Sequence, residues 1–105
     1  MIVVLTTFPS AEIASKIASH LVETKLAACV NLITGVRSIY AWKGELCEDA
    51  EVLAIVKTTD ERLESVRAAI VSQHPYECPE VVALDVAGGH QPYLDWVMAM
   101  STEVN

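Results

Sequence analysis

The sequence predicts an α+β sandwich: an antiparallel sheet backed by helices, in the order β-α-β-β-α-β, with one further helix at the end. Three observations lead there. Apolar residues fill four strand-like segments and recur at helical spacing in three others. Turn and cap residues separate these segments, at Pro9-Ser10, Asp60, Pro75 and Gly88-Gly89. The middle of the chain, Ala28 to Thr59, reads as one long β-hairpin turned at Trp42-Lys43-Gly44-Glu45.

Ile2 to Thr7 is a β-branched run with apolar residues on both faces, as in a buried strand. Ser10 is placed to cap a helix. In that helix Ile13, Ile17 and Leu21 form one apolar stripe with Ala14, Ala18 and Val22, and Glu12 can pair with Lys16 on the wet side; it ends near Lys25. The first hairpin arm runs from Ala28 to Trp42. Val30, Leu32, Val36, Tyr40 and Trp42 share one parity, and Gly35 marks a bulge that can shift it. The returning arm, Glu45 to Thr59, carries Glu45, Cys47, Asp49 and Glu51 on a wet face near the tip, then turns apolar on both faces at Val52–Val56. Each arm is about 15 residues against the usual 5–6. At about 3.3 Å per residue it reaches on the order of 50 Å, far beyond the ~13 Å radius of gyration of a compact 100-residue domain.

Asp60 is placed to cap a second helix, with Leu63, Val66 and Ile70 inward. That helix stops at His74, because Pro75 disfavours helical geometry before it. Val81 to Val86 is a fourth strand, and Pro92 suits the first turn of a closing helix bearing Tyr93, Leu94, Trp96, Val97 and Met100. Right-handed crossovers place the first two helices on one face of the sheet, a ferredoxin-like fold in a single domain over 1–105. The other face is greasy too, and the closing helix is too short to cover it. Leaving such side chains wet costs about 1.5–3 kcal/mol each, so self-association is expected.

Fourteen acidic against seven basic residues give a net charge of −7. That argues against a general nucleic-acid or membrane-surface partner, since both are anionic. The start, Met1 to Pro9, lacks a basic leader region, and no apolar stretch approaches the ~20 residues that span a bilayer. Cys29, Cys47 and Cys78 are odd in number and widely spaced, with no Cys-x-x-Cys, which fits a reducing compartment and a cytoplasmic location. No Gly-x-Ser-x-Gly elbow, phosphate-binding loop or dinucleotide fingerprint is present, so neither an enzyme nor an organic cofactor is expected.

Two constellations carry candidate chemistry. His74-Pro-Tyr-Glu-Cys-Pro-Glu80 gathers imidazole, phenol, carboxylates and a thiol on a loop stiffened by two prolines. Imidazole with carboxylate suits Cu(II) or zinc, and thiolate suits Cu(I) or zinc; a histidine at a helix end also has a purely structural use. The aromatics Tyr40, Trp42, Tyr93 and Trp96, with Tyr76, fit an interface between copies, or a small-ligand pocket there with Lys57, Arg37 or Lys25 supplying charge. The acidic run Glu45, Cys47, Glu48, Asp49 and Glu51 reads as a solvated strand face that blunts a sticky edge.

Several segments together are similar to the CutA family of divalent-cation tolerance proteins: Lys25-Leu-Ala-Ala-Cys-Val-Asn-Leu-Ile33, Gly35-Val-Arg-Ser-Ile-Tyr40, Trp42-Lys-Gly-Glu45, Lys57-Thr-Thr59, His74 to Glu80, and Tyr93-Leu-Asp-Trp96. They run in the family's order over nearly the whole chain. The resemblance implies a ferredoxin-like homotrimer, built much as PII signalling proteins are, with a role in the response to metal ions. It implies weak binding of copper or another divalent cation, with His74 and Glu80 at the positions of the family's proposed ligands and Cys78 nearby. A cysteine that some members carry at the end of the first strand is replaced here by Thr6, so that soft ligand is missing. The alternative is a PII-like sensor or adaptor that holds a small molecule or an unidentified protein partner in clefts between subunits.

Overall fold

Strand β1 (Ile2–Phe8) is apolar on both faces because it lies inside the sheet, between β3 (Glu45–Thr58) and the short β4 (Val82–Asp85). β2 (Cys29–Trp42) forms the other edge, giving the order β2-β3-β1-β4 with every pair antiparallel. The helices are α1 (Ala11–Glu23), α2 (Leu63–Gln73) and α3 (Gln91–Met100). This is the ferredoxin-like α+β arrangement the sequence predicts, seen in a computed structural model that describes residues 1–102.

Local chemistry sets the element ends. The Ser10 hydroxyl accepts the Ile13 N–H at 3.2 Å and caps α1. At its other end Lys25 takes the left-handed region, φ 62°. From there the Lys25 N–H bonds the Val22 carbonyl and the Leu26 N–H bonds the Leu21 carbonyl, the Schellman pattern. The expected Asp60 cap is not made. Asp60–Arg62 is instead a 3-10 turn, and α2 begins at Leu63 without a side-chain cap. The Arg62 side chain is committed elsewhere: its Nε–H donates to the Ser101 carbonyl at 2.9 Å, tying the end of α3 to the start of α2. α2 stops at Gln73, and His74 is extended (φ −77°, ψ 137°) as Pro75 requires. β4 covers only Val82–Asp85 rather than 81–86.

The hairpin is as long as its pattern implied, 14 residues in each arm. It stretches the molecule to 46 × 27 × 21 Å. Lys43 (φ 50°) and Gly44 (φ 80°) make a two-residue turn with both residues left-handed, which matches strand twist. Gly35 (φ 77°) lies in a register break between Ile33 and Val36. That bulge corrects the single-face reading of β2. Val30 and Leu32 pair with Val56 and Ala54, on the helix side; Val36, Tyr40 and Trp42 pair with Glu51, Cys47 and Glu45, on the opposite side.

On the helix side, Ile2, Val4, Phe8, Val52, Ala54 and Val56 pack against Ala14, Ile17 and Leu21 of α1 and Val66 and Ile70 of α2. Two threonines share this layer with opposite fates. The Thr58 hydroxyl donates to the Leu26 carbonyl at 2.6 Å, whereas the fully buried Thr6 hydroxyl has no partner. Thr6→Val, which swaps an unpaired hydroxyl for a methyl, is therefore expected to raise stability by about 1 kcal/mol. Thr58→Val strands a buried carbonyl and should cost about 1–2 kcal/mol. Urea midpoints of the two variants should move in opposite directions; equal shifts would contradict this assignment.

The opposite side is only partly covered. α3 reaches its margin, where the Lys57 ammonium lies 5.5 Å from the Tyr93 ring centroid. Beyond it Val3, Leu5, Leu53 and Ile55 remain partly exposed, and Ile33, Val82 and Leu84 are 45 %, 45 % and 49 % exposed.

Candidate functional site

β4 pairs with β1 only as far as Leu5, so the last residues of β1 have an open edge. The 74–80 loop fills that gap. The His74 ring, only 9 % exposed, stacks on Phe8 with centroids 4.9 Å apart and planes at 19°. Its Nδ1 accepts the Tyr76 N–H at 3.1 Å. The proton therefore sits on Nε2, which donates to the Thr7 carbonyl at 2.7 Å. One ring nitrogen ties the loop to β1 and the other is spent inside the loop, on the Tyr76 N–H.

From this anchor Tyr76 reaches across to the hairpin, and its hydroxyl donates to Glu51 at 2.7 Å. Glu51 is 8 % exposed, which corrects the expectation that it belongs to the wet face. One step along the same face the Tyr40 hydroxyl donates to Asp49. That hydrogen bond, with some desolvation, pushes the Tyr40 phenol up to about 12. Burial first, then the Glu51 bond, raises the Tyr76 phenol further. Both phenols are thus fixed as neutral donors to carboxylates.

Loop and hairpin enclose an open cleft of about 660 Å³. Tyr40, Trp42 and Tyr76 line it together with Glu51, Glu77 and Glu80, and Cys78 stands at its rim. Of the residues singled out from sequence, the cleft brings together Tyr40, Trp42, Tyr76, Cys78 and Glu80. Lys57, Tyr93 and Trp96 form a separate group at the root of the hairpin, with the two rings 5.7 Å apart. Arg37 pairs with Glu48 on the far face of the hairpin, and Lys25 ends α1, so the cations considered for a pocket lie away from the cleft. Glu51, Glu77 and Asp49 were not singled out as site residues. Gly35 was the available signal, since its bulge turns Tyr40 and Trp42 onto the face of Glu51.

A metal ion does not fit at His74 in this arrangement. A ligating imidazole needs a free nitrogen lone pair, and His74 has none. Among the described residues no three His, Cys, Asp or Glu side chains converge.

Comparison with known proteins places these features. Residues 2–100 match the family described as "CutA1 divalent ion tolerance protein". The chain belongs to the CutA family. It is 50 % identical over 95 residues to the divalent-cation tolerance protein CutA of Thermus thermophilus, covering 90 % of this chain and 92 % of that one. A Thermus thermophilus CutA1 structure superposes with a TM-score of 0.94 at 48 % identity, covering 97 % of this chain and all of that one. The CutA protein of Arabidopsis thaliana, called chloroplastic, is 43 % identical over 91 % of this chain, which spans 53 % of that relative's length. A CutA structure from Archaeoglobus fulgidus, called periplasmic, gives a TM-score of 0.93 at 35 % identity over 97 % of this chain and all of that one.

Proposed function

We propose that this CutA chain serves divalent-cation tolerance as a homotrimer that binds Cu(II) or a related ion weakly and catalyses no reaction. The observation that carries the assembly is the half-covered sheet face around Leu5, Leu53 and Ile55. An apolar face of that kind is stabilised by a second copy burying the same residues. The metal reading is supported by the names of the relatives and by the donors on the exposed loop, Glu77, Cys78 and Glu80. Such donors, exposed and unconverged, suit a weak site rather than a closed one. Three free cysteines favour a reducing compartment such as the cytoplasm.

Isothermal titration with Cu(II) tests the metal part. Binding should be weak, and Cys78→Ser with Glu80→Gln should lower the affinity by about tenfold, roughly the loss of one soft and one hard donor. Titration curves that superpose for the double variant and the parent would remove the loop from consideration.

A further inference from the structure

We propose that the cleft between the hairpin and the 75–80 loop binds a small organic cation, an alkylammonium group lodged against Tyr40, Trp42 and Tyr76 with Glu51, Glu77 and Glu80 as counter-charges. This goes beyond the metal reading and does not depend on it.

The lining selects charge of one sign. Its ionisable side chains are three carboxylates, two phenols and a thiol, and the lining itself holds no lysine, arginine or histidine. The chain as a whole carries −7 and draws cations toward it. An anionic ligand would meet these carboxylates with only the Lys43 ammonium over Trp42 as a basic partner, since Lys25, Arg37 and Lys57 lie elsewhere. A neutral apolar ligand could use the rings, but it would desolvate the carboxylates and return nothing to them.

The lining also selects the kind of cation. A bare divalent ion takes about four to eight donors closing around a point, and no three His, Cys, Asp or Glu side chains converge among the described residues. An alkylammonium spreads its charge over a larger, weakly hydrated surface. It is held by aromatic faces within about 6 Å and by carboxylates that need not converge. Three rings and three carboxylates around about 660 Å³ supply that combination in a volume usual for small-ligand sites. The phenol–carboxylate bonds from Tyr40 to Asp49 and from Tyr76 to Glu51 fix both tyrosines beforehand, so little side-chain order remains to be imposed. The chain supplies its own example of the contact: the Lys43 ammonium at the hairpin turn lies 5.9 Å from the Trp42 ring centroid.

Titrating the intact protein with choline, at constant ionic strength, tests this. Choline should bind saturably and shift the tryptophan emission. Its uncharged isostere, with carbon in place of nitrogen, should bind at least about tenfold more weakly. Trp42→Leu, at a half-exposed position near the hairpin tip, should weaken choline about tenfold, and Glu77→Gln with Glu80→Gln severalfold. Lys43→Asn keeps a residue tolerant of the left-handed turn and removes the competing ammonium, so it should tighten binding severalfold. The proposal is overturned if choline fails to saturate, if the isostere binds equally well, or if choline affinity survives both Trp42→Leu and the double glutamate variant with the fold intact by circular dichroism.

Discussion

Replacing Ile55 by glutamate should break the assembly into single chains. In sedimentation equilibrium at micromolar concentration the parent is expected at three times the 11.4 kDa chain mass, and Ile55→Glu at the chain mass itself. Ile55 sits at the centre of the uncovered face, between Asn31 on β2 and Leu5 on β1. Ile55 is already more than half buried in one chain, so completing its burial contributes about 1 kcal/mol at most, but an uncompensated carboxylate in its place costs several kcal/mol. In the proposed trimer three-fold symmetry would repeat the change in every subunit, a loss on the order of 10 kcal/mol, more than most interfaces can spare. Leu84→Glu, at a position 49 % exposed in one chain, gives the same test with less risk to the monomer fold. Val71→Glu, at an exposed position on α2, should leave the mass unchanged. A parent that sediments as a folded monomer, or an Ile55→Glu protein that stays trimeric, would end the proposal.

Removing the His74 imidazole should unsettle the fold and leave copper affinity where it was. His74→Ala deletes a ring stacked on Phe8 and two hydrogen bonds, to the Thr7 carbonyl and from the Tyr76 N–H. The stranded buried polar groups cost about 1–3 kcal/mol, and the space left beside Phe8 adds a cavity penalty. A loss of about 3 kcal/mol is expected, seen as a lower urea midpoint measured at fixed protein concentration, since the proposed assembly would make the midpoint concentration-dependent. The same variant should return the parent's Cu(II) binding curve and the parent's copper electron paramagnetic resonance spectrum. Loss of a nitrogen ligand signal with His74→Ala would show that the ring turns outward to take the metal. The two readings of this histidine therefore separate in one pair of measurements.

The contrast between the two variants reflects how a histidine can be read. In the sequence, His74 next to Tyr76, Cys78 and Glu80 looks like a ligand set, because those are the residue types that bind metals. Type does not specify direction. The break between α2 and Pro75 turns His74 back toward β1, where an open strand edge presents a carbonyl that needs a donor. The ring meets that need and is used up by it. Glu51 is misread for the converse reason: by strand parity it belongs to a row of wet carboxylates, yet Tyr76 arrives from 25 residues away to cover it.

By itself the sequence determined the element order, the two-residue hairpin turn, the Ser10 cap, the stop before Pro75 and the sheet that is greasy on both sides. Each depends on backbone preferences or on hydrophobic period within a few residues, and such local terms are visible in a string of letters. Only the tertiary structure decided which face of the hairpin Tyr40 and Trp42 occupy, where the His74 ring points, and that the cleft beside them is lined by carboxylates. Those outcomes turn on one bulge at Gly35 and on contacts between segments far apart in the chain. A one-residue change in register reverses every side chain beyond it, and no local propensity records that reversal.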